Sequence, residues 1–230
     1  MLPPNEDKRC YASTAQREVL IDLIRNGVVT QEYFLTGGTA LSVFYLHHRR
    51  SNDLDFFTLQ ETDLAQIDFI LKTTWRHEYV KTKASSNFLS LLVRDVKVEF
   101  VIDRLSNDEE RDAYAIESLY HLRIDTPRNI ISNKLCALAS RIEPKDYLDY
   151  YALYNAMQII SFKDVLDDAR KKDAIFDDPP TAAYQIEEGL KFIGQHQDAL
   201  PALLAPINLV AFFQFYELMI RQLYDEGTMK

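Results

Sequence analysis

Apolar residues recur with helical spacing first at residues 14–26, where Val19, Leu20, Leu23 and Ile24 share one stripe and Gly27 supplies a stop. A short apolar strand follows at Tyr33 to Leu35. Gly37-Gly38 breaks it, and Thr39 opens a helix running to about His47, whose Leu41, Phe44 and Tyr45 suit packing on a sheet. Leu54, Phe56 and Phe57 mark a second strand. The order over this stretch is strand, glycine turn, helix, strand.

A helix is expected near 62–73, and strands at 75–82, 88–94 and 96–102, with Val96 to Ile102 the clearest of them. From about residue 113 the pattern changes to helices: Pro127 at a helix start followed by 130–141, then 144–157, 161–170, 181–194 and 206–223. A boundary near 110 is therefore expected, with a mixed catalytic domain over 1–110 and a helical domain over 111–230. The class is α+β, a small mixed sheet flanked by helices and followed by a helical domain.

Composition narrows the picture. With 47% apolar residues the chain can build a sizeable core, and six glycines in 230 residues favour helices over an all-β sandwich. Residues 1–10 lack the apolar run of a signal peptide, and the apolar cluster near 207–220 is interrupted by Asn208, Gln214 and Glu217. Cys10 and Cys136 form no metal-ligand spacing and no disulfide framework, so a cytoplasmic protein with no membrane segment is expected. The net charge of −9 argues against a basic coat, yet residues 31–104 hold nine Lys/Arg against ten Asp/Glu, whereas residues 161–230 hold seven against twelve. A polyanion is expected on the first half.

The chemistry concentrates at Asp53-Leu54-Asp55. On a strand, side chains alternate, so both carboxylates fall on one face. A solvated strand face tolerates such a pair; a divalent cation, Mg²⁺ or Mn²⁺, uses it. Context favours the second. Gly37-Gly38 follows a strand and precedes a helix, where free amides can hold a phosphate, although a tight turn alone also explains it. Glu99 sits inside the apolar strand Val98-Glu99-Phe100-Val101, where an ionised group needs a partner or a cleft, or else faces the surface. Haloacid-dehalogenase-type enzymes also use Asp-x-Asp, but there an apolar strand leads into the first aspartate, and here His47 to Asn52 precede it. Three carboxylates and a phosphate-holding turn are the parts for two-metal phosphoryl transfer.

Further basic groups offer phosphate contacts. Lys134 and Arg141 are two turns apart on one predicted helix face and could grip a triphosphate or simply form a solvated stripe, with Ser132 a weaker candidate. Asp146 and Asp149 begin the next helix, where the helix dipole alone favours acids. Arg49, in the cluster His47 to Arg50, has the fork geometry for phosphate oxygens. Trp75, Phe212, Phe213, Phe215 and Tyr216 are expected in the core.

The segments Gly37-Gly38-Thr39-Ala40-Leu41 and His48-Arg49-x-Ser51-x-Asp53-Leu54-Asp55-Phe56-Phe57 resemble the AbiEii/AbiGii toxin family of nucleotidyltransferases, a branch of the polymerase-β-like superfamily. The likeness continues in Lys134-Leu135-x-Ala137-Leu138-x-x-Arg141 and Pro144-Lys145-Asp146-x-x-Asp149, so it spans residues 34 to about 153. It implies a nucleotidyltransferase fold over the N-terminal domain, Asp53 and Asp55 as metal ligands with Glu99 in the third place, and Gly37, Gly38 and Thr39 on the triphosphate. It also implies that Asp146 orients Lys134 or Lys145. Two departures stand out: many superfamily members carry Gly-Ser where Gly37-Gly38 stands, and aspartate where Glu99 stands.

The expected reaction moves a nucleoside monophosphate from an NTP to a hydroxyl and releases pyrophosphate. The resemblance implies an RNA acceptor such as tRNA and a cognate antitoxin as partner. A protein or small-molecule acceptor of the antibiotic type, and a non-catalytic nucleotide-binding module, are the alternatives.

Overall fold

Ser13 opens the first helix by accepting a hydrogen bond from the Gln16 amide, and α1 (Thr14–Arg25) buries Val19, Leu20, Ile21 and Leu23. The cap satisfies one of the amides that a helix start leaves without an intrahelical partner. The computed structural model describes residues 2–106, 109–111, 113–157 and 160–228. These fall into two compact units, Leu2–Thr126 and the chain from Pro127 onward.

The first unit contains β1 (Phe34–Thr36), α2 (Gly37–Leu41), β2 (Leu54–Thr58), α3 (Leu64–Trp75), β3 (Tyr79–Ala84), β4 (Phe88–Val93), β5 (Val96–Ile102), β6 (Ala113–Ile116) and β7 (Tyr120–Ile124). Among the described residues seven strands form one mixed sheet in the order β3-β4-β5-β2-β1-β7-β6. The central pairs β2·β5 and β1·β7 are parallel, and the others antiparallel. Strict alternation on β2 and β5 buries Leu54, Phe56, Val98 and Phe100 and turns Asp55, Lys97 and Glu99 to the opposite, half-exposed face. Phe56 and Phe100 stack at 5.4 Å between ring centroids, and the Tyr33 ring meets Phe100 edge-on at 5.5 Å.

Two sequence expectations need correction. The helix after β1 starts at Gly37, two residues before Thr39, and continues past Leu41 as a wider π-helical turn, Ser42–Leu46. The stretch after 110 is not yet helical: β6 and β7 form a hairpin that extends the sheet, so the units divide at Thr126/Pro127 rather than near 110. That hairpin turns on Glu117 and Ser118, both with positive φ (55° and 57°). The loop is three residues long, Glu117 to Leu119, with the Leu119 amide donating to the Ile116 carbonyl at 3.1 Å, and without Gly or Asn at its left-handed positions the sequence carries no turn signal. Arg94 and Asp95 make a two-residue turn between β4 and β5, likewise left-handed at φ 49° and 60°.

A buried ion pair holds the β1 end against β7. The Arg111 guanidinium donates to Asp125 at 3.0 Å and lies 3.8 Å over the Phe34 ring, and Thr36 donates its hydroxyl to Asp125 at 2.5 Å. With Arg111 and Asp125 both shielded from water, each charge needs the other.

The second unit is helical: α4 (Pro127–Ser140), α5 (Pro144–Ala156), α6 (Phe162–Arg170), α7 (Pro179–Gln195) and α8 (Leu209–Thr228). Among the described residues these helices match the expected ones to within about five residues. Tyr147, Tyr150, Phe212 and Tyr216 are fully buried, while Phe213 and Phe215 are half-buried. The Tyr147 hydroxyl donates to the Ile186 carbonyl at 3.0 Å, and its ring lies where a Cβ on Gly189 would sit, 1.9 Å from the hydroxyl oxygen. Glycine is therefore required in the middle of α7, against its usual cost there.

Candidate active site

Asp53, Asp55 and Glu99 come together because β2 and β5 run parallel in register. Asp55 and Glu99 are paired Cα positions, and Asp53 stands in the loop just before β2, where its carboxylate also faces Lys97. Lys97, two residues before Glu99, joins them. Its ammonium sits 2.9 Å from Glu99 Oε1 and 3.9 Å from Asp53 Oδ2. Burial would pull the Lys97 ammonium down, but the hydrogen bond to Glu99 and the charges of Asp53, Glu99 and Asp55 outweigh it and raise it above its ordinary value. Ser90 on β4, buried, faces Glu99 from the other side.

The glycine turn abuts this face. Gly37 has φ +66°, and a Cβ there would lie 2.5 Å from Asp55 Oδ2, so both conformation and space demand glycine. A Cβ at Gly38 would lie 2.5 Å from the Arg49 guanidinium and 3.0 Å from Ser51 Oγ. The serine found here in many superfamily members would have to displace Arg49. Arg49 itself is buried, donating to the Arg50 carbonyl at 2.8 Å.

Thr39 is also buried. Its hydroxyl donates to the Asp53 carbonyl and lies 2.9 Å from Ser51 Oγ, while Gln16 Nε2 reaches the same carbonyl at 3.2 Å. Thr39 and Arg49, expected from the sequence as ligands for phosphate, are thus placed inside the support of the loop that delivers Asp53. Buried polar groups of this kind rigidify what they hold when their bonds are met.

In the helical unit Lys134 Nζ lies 2.6 Å from Asp146 Oδ1 and 2.6 Å from Asp149 Oδ2, and Arg141 donates to Asp146 Oδ2 at 2.8 Å. Lys134 and Arg141 do turn to a common point, and that point is a carboxylate. Asp146 would be raised by its burial, but Lys134 and Arg141 outweigh this through charge and hydrogen bonds and hold it below the usual range. Asp149 braces Lys134 across the two helices. Ser132 is buried and donates to the Asn129 carbonyl at 2.9 Å, a contact within its own helix.

Sequence reading passed over Lys97, Gln16, the Arg111–Asp125 pair and the Asp149–Lys134 contact. For Lys97 the signal existed, since period-two alternation from Glu99 places it on the acidic face. The other contacts join residues too distant in sequence for any periodicity to connect.

The carboxylates suit a divalent cation in donor chemistry, being hard oxygens on one face that already draw a positive charge to themselves. Among the described residues no three His, Cys, Asp or Glu side chains are gathered tightly enough to hold a metal as they stand. The Lys97 ammonium takes up part of that space. No described helix is long and apolar enough to cross a membrane.

This mixed sheet with its helices is the fold of nucleotidyltransferases. MenT4, a nucleotidyltransferase toxin from Mycobacterium tuberculosis H37Rv, superposes with a TM-score of 0.51 at 16% identity, covering 92% of this chain and 82% of that one. ANT(2″)-Ia in complex with adenylyl-2″-tobramycin does so at 0.50 and 12%, covering 72% and 98%. JHP933 from Helicobacter pylori aligns at 0.49 and 19%, covering 98% and 96%. No curated protein sequence matches the chain. Residues 19–208 match the profile of the nucleotidyl transferase AbiEii toxin family of type IV toxin–antitoxin systems, and the chain belongs to that family. It is a nucleotidyltransferase.

Proposed function

We propose that this protein moves a nucleoside monophosphate from an NTP to a hydroxyl of an RNA such as tRNA, releasing pyrophosphate, and that a cognate antitoxin restrains it. The observation that carries the reading is the in-register pairing of Asp55 with Glu99, with Asp53 on the same face and the Gly37 turn in contact with Asp55. Asp53, Asp55 and Glu99 would hold Mg²⁺ or Mn²⁺, which would supply charge neutralisation at the phosphates and activation of the acceptor hydroxyl.

The chain's own contribution is positioning. Thr39 and Gln16 pin the Asp53 carbonyl, so the first carboxylate is held on a rigid loop. Gly37 and Gly38 leave backbone amides open to a phosphate beside Asp55. Arg49, packed on Gly38, keeps that turn closed from behind. In the helical unit, Lys134 and Arg141 are cations of the kind that binds phosphate, oriented by Asp146.

Incubation with labelled NTPs, Mg²⁺ and total RNA tests the assignment. Label is expected on RNA and absent with Asp55→Ala. Transfer that survives Asp55→Ala would sink the mechanism, and label on protein or on an added aminoglycoside would replace RNA as the acceptor.

A further inference from the structure

Three carboxylates on one sheet face repel one another unless a positive charge lies among them. In this chain the charge comes from the strand that carries Glu99: Lys97, on β5, places its ammonium 2.9 Å from Glu99 and 3.9 Å from Asp53. The Lys97 side chain remains 42% exposed, against 26% for Asp53 and 20% for Glu99. It therefore has more solvent to move into than either acid. Lysine is a compact point charge on a flexible stem, and a single ammonium can leave a carboxylate more readily than a bidentate guanidinium can.

We propose that Lys97 is a built-in counter-ion of the acidic site, holding the carboxylates together in the metal-free protein and competing with divalent cations for Asp53 and Glu99. The proposal rests on the reading of Asp53, Asp55 and Glu99 as the cation site. Metal entry then requires the ammonium to swing away from Glu99, and the effective metal affinity is set by the difference between the two cations. Lys97 acts through the ligands as a positioning residue, and tunes the metal concentration at which the enzyme assembles its site.

Mn²⁺ is the probe, with free Mn²⁺ counted by electron paramagnetic resonance and Tm followed by scanning fluorimetry, both on the full chain without nucleotide. Lys97→Met is expected to tighten Mn²⁺ binding by about ten-fold, because one positive charge is removed a few ångströms from a dication. It should also enlarge the Mn²⁺-induced rise in Tm. Lys97→Arg should weaken binding relative to wild type. Asp55→Asn should abolish binding in both the wild-type and Lys97→Met backgrounds.

Binding that Asp55→Asn abolishes but Lys97→Met leaves within two-fold, or weakens, overturns the counter-ion and leaves the metal site intact. Binding insensitive to Asp55→Asn overturns the site reading and the counter-ion with it. If Lys97→Met binds no Mn²⁺ in either measurement, the counter-ion is likewise overturned. A purely structural lysine would lower Tm on removal without tightening metal binding, so the direction of the affinity change decides.

Discussion

Asp55 and Glu99 occupy facing Cα positions across the parallel β2–β5 pair, with Asp55 also in contact range of any side chain at position 37. Asp55→Asn is expected to cut nucleotidyl transfer by about 100-fold or more with the fold retained, since the amide keeps the shape of the carboxylate and loses its charge. Glu99→Gln should cut transfer likewise, with a small loss of Tm because Lys97 loses its 2.9 Å ion pair. Label-transfer assays and thermal melts on the same preparations check it, and a variant that loses activity together with several degrees of Tm would point to a structural role.

Gly37→Ala combines a left-handed backbone at φ +66° with a Cβ driven to 2.5 Å from the Asp55 carboxylate. A cost of about 1–2 kcal/mol is expected from the backbone alone. The carboxylate must also shift. Activity should therefore fall more steeply than stability, which urea titration beside initial rates will show.

Lys134 supplies charge to two buried acids, Asp146 and Asp149. Lys134→Met leaves both without that ammonium and should destabilise the helical unit by about 3–5 kcal/mol. Because Lys134→Met would affect nucleotide binding and fold together, Lys134→Met/Asp149→Asn is the informative double variant. Recovery of Tm in the double variant without recovery of transfer separates the two roles.

The depressed Asp146 carboxyl predicts a direction for acid unfolding. A carboxylate lowered in the folded state stabilises fully above its unfolded value, near pH 4, and that contribution is lost as pH falls from there through the folded value. Urea midpoints measured at pH 7, 4 and 3 should drop mainly over the last interval. Asp146→Asn should flatten that drop, and an unchanged pH profile would refute the assignment.

Gly189→Ala would ordinarily stabilise a helix interior by up to about 1 kcal/mol. Here the new methyl meets the Tyr147 hydroxyl at 1.9 Å and its ring carbon at 2.6 Å. Overpacking of about 1–3 kcal/mol is expected instead. Tyr147→Phe/Gly189→Ala should recover part of the loss in a thermal melt, because the hydroxyl is the nearest atom.

Local signals carried most of the elements. Alternation over Val96–Ile102 and the apolar stripe of α1 are properties of consecutive residues, so β5 and α1 were legible directly. The β6–β7 hairpin was not, because Glu117 and Ser118 adopt left-handed backbone without the glycine that announces it. Tertiary pairing of β7 with β1, reinforced by Arg111, Asp125 and Thr36, overrides that local preference.

The sequence by itself determined that Asp53 and Asp55 share a face, that a glycine turn precedes them, and that the chain carries the motifs of its family. Those statements need only a period of two and a spacing. Only the tertiary structure decided what surrounds them. Register across β2 and β5 brought Glu99 and Lys97 to the two aspartates. The close approach of α2 to β2 committed Thr39 to the Asp53 carbonyl, and the packing of α4 on α5 gave Lys134 two acids as partners. Charge neutralisation and burial depend on which surfaces meet, and that information is nonlocal in the chain.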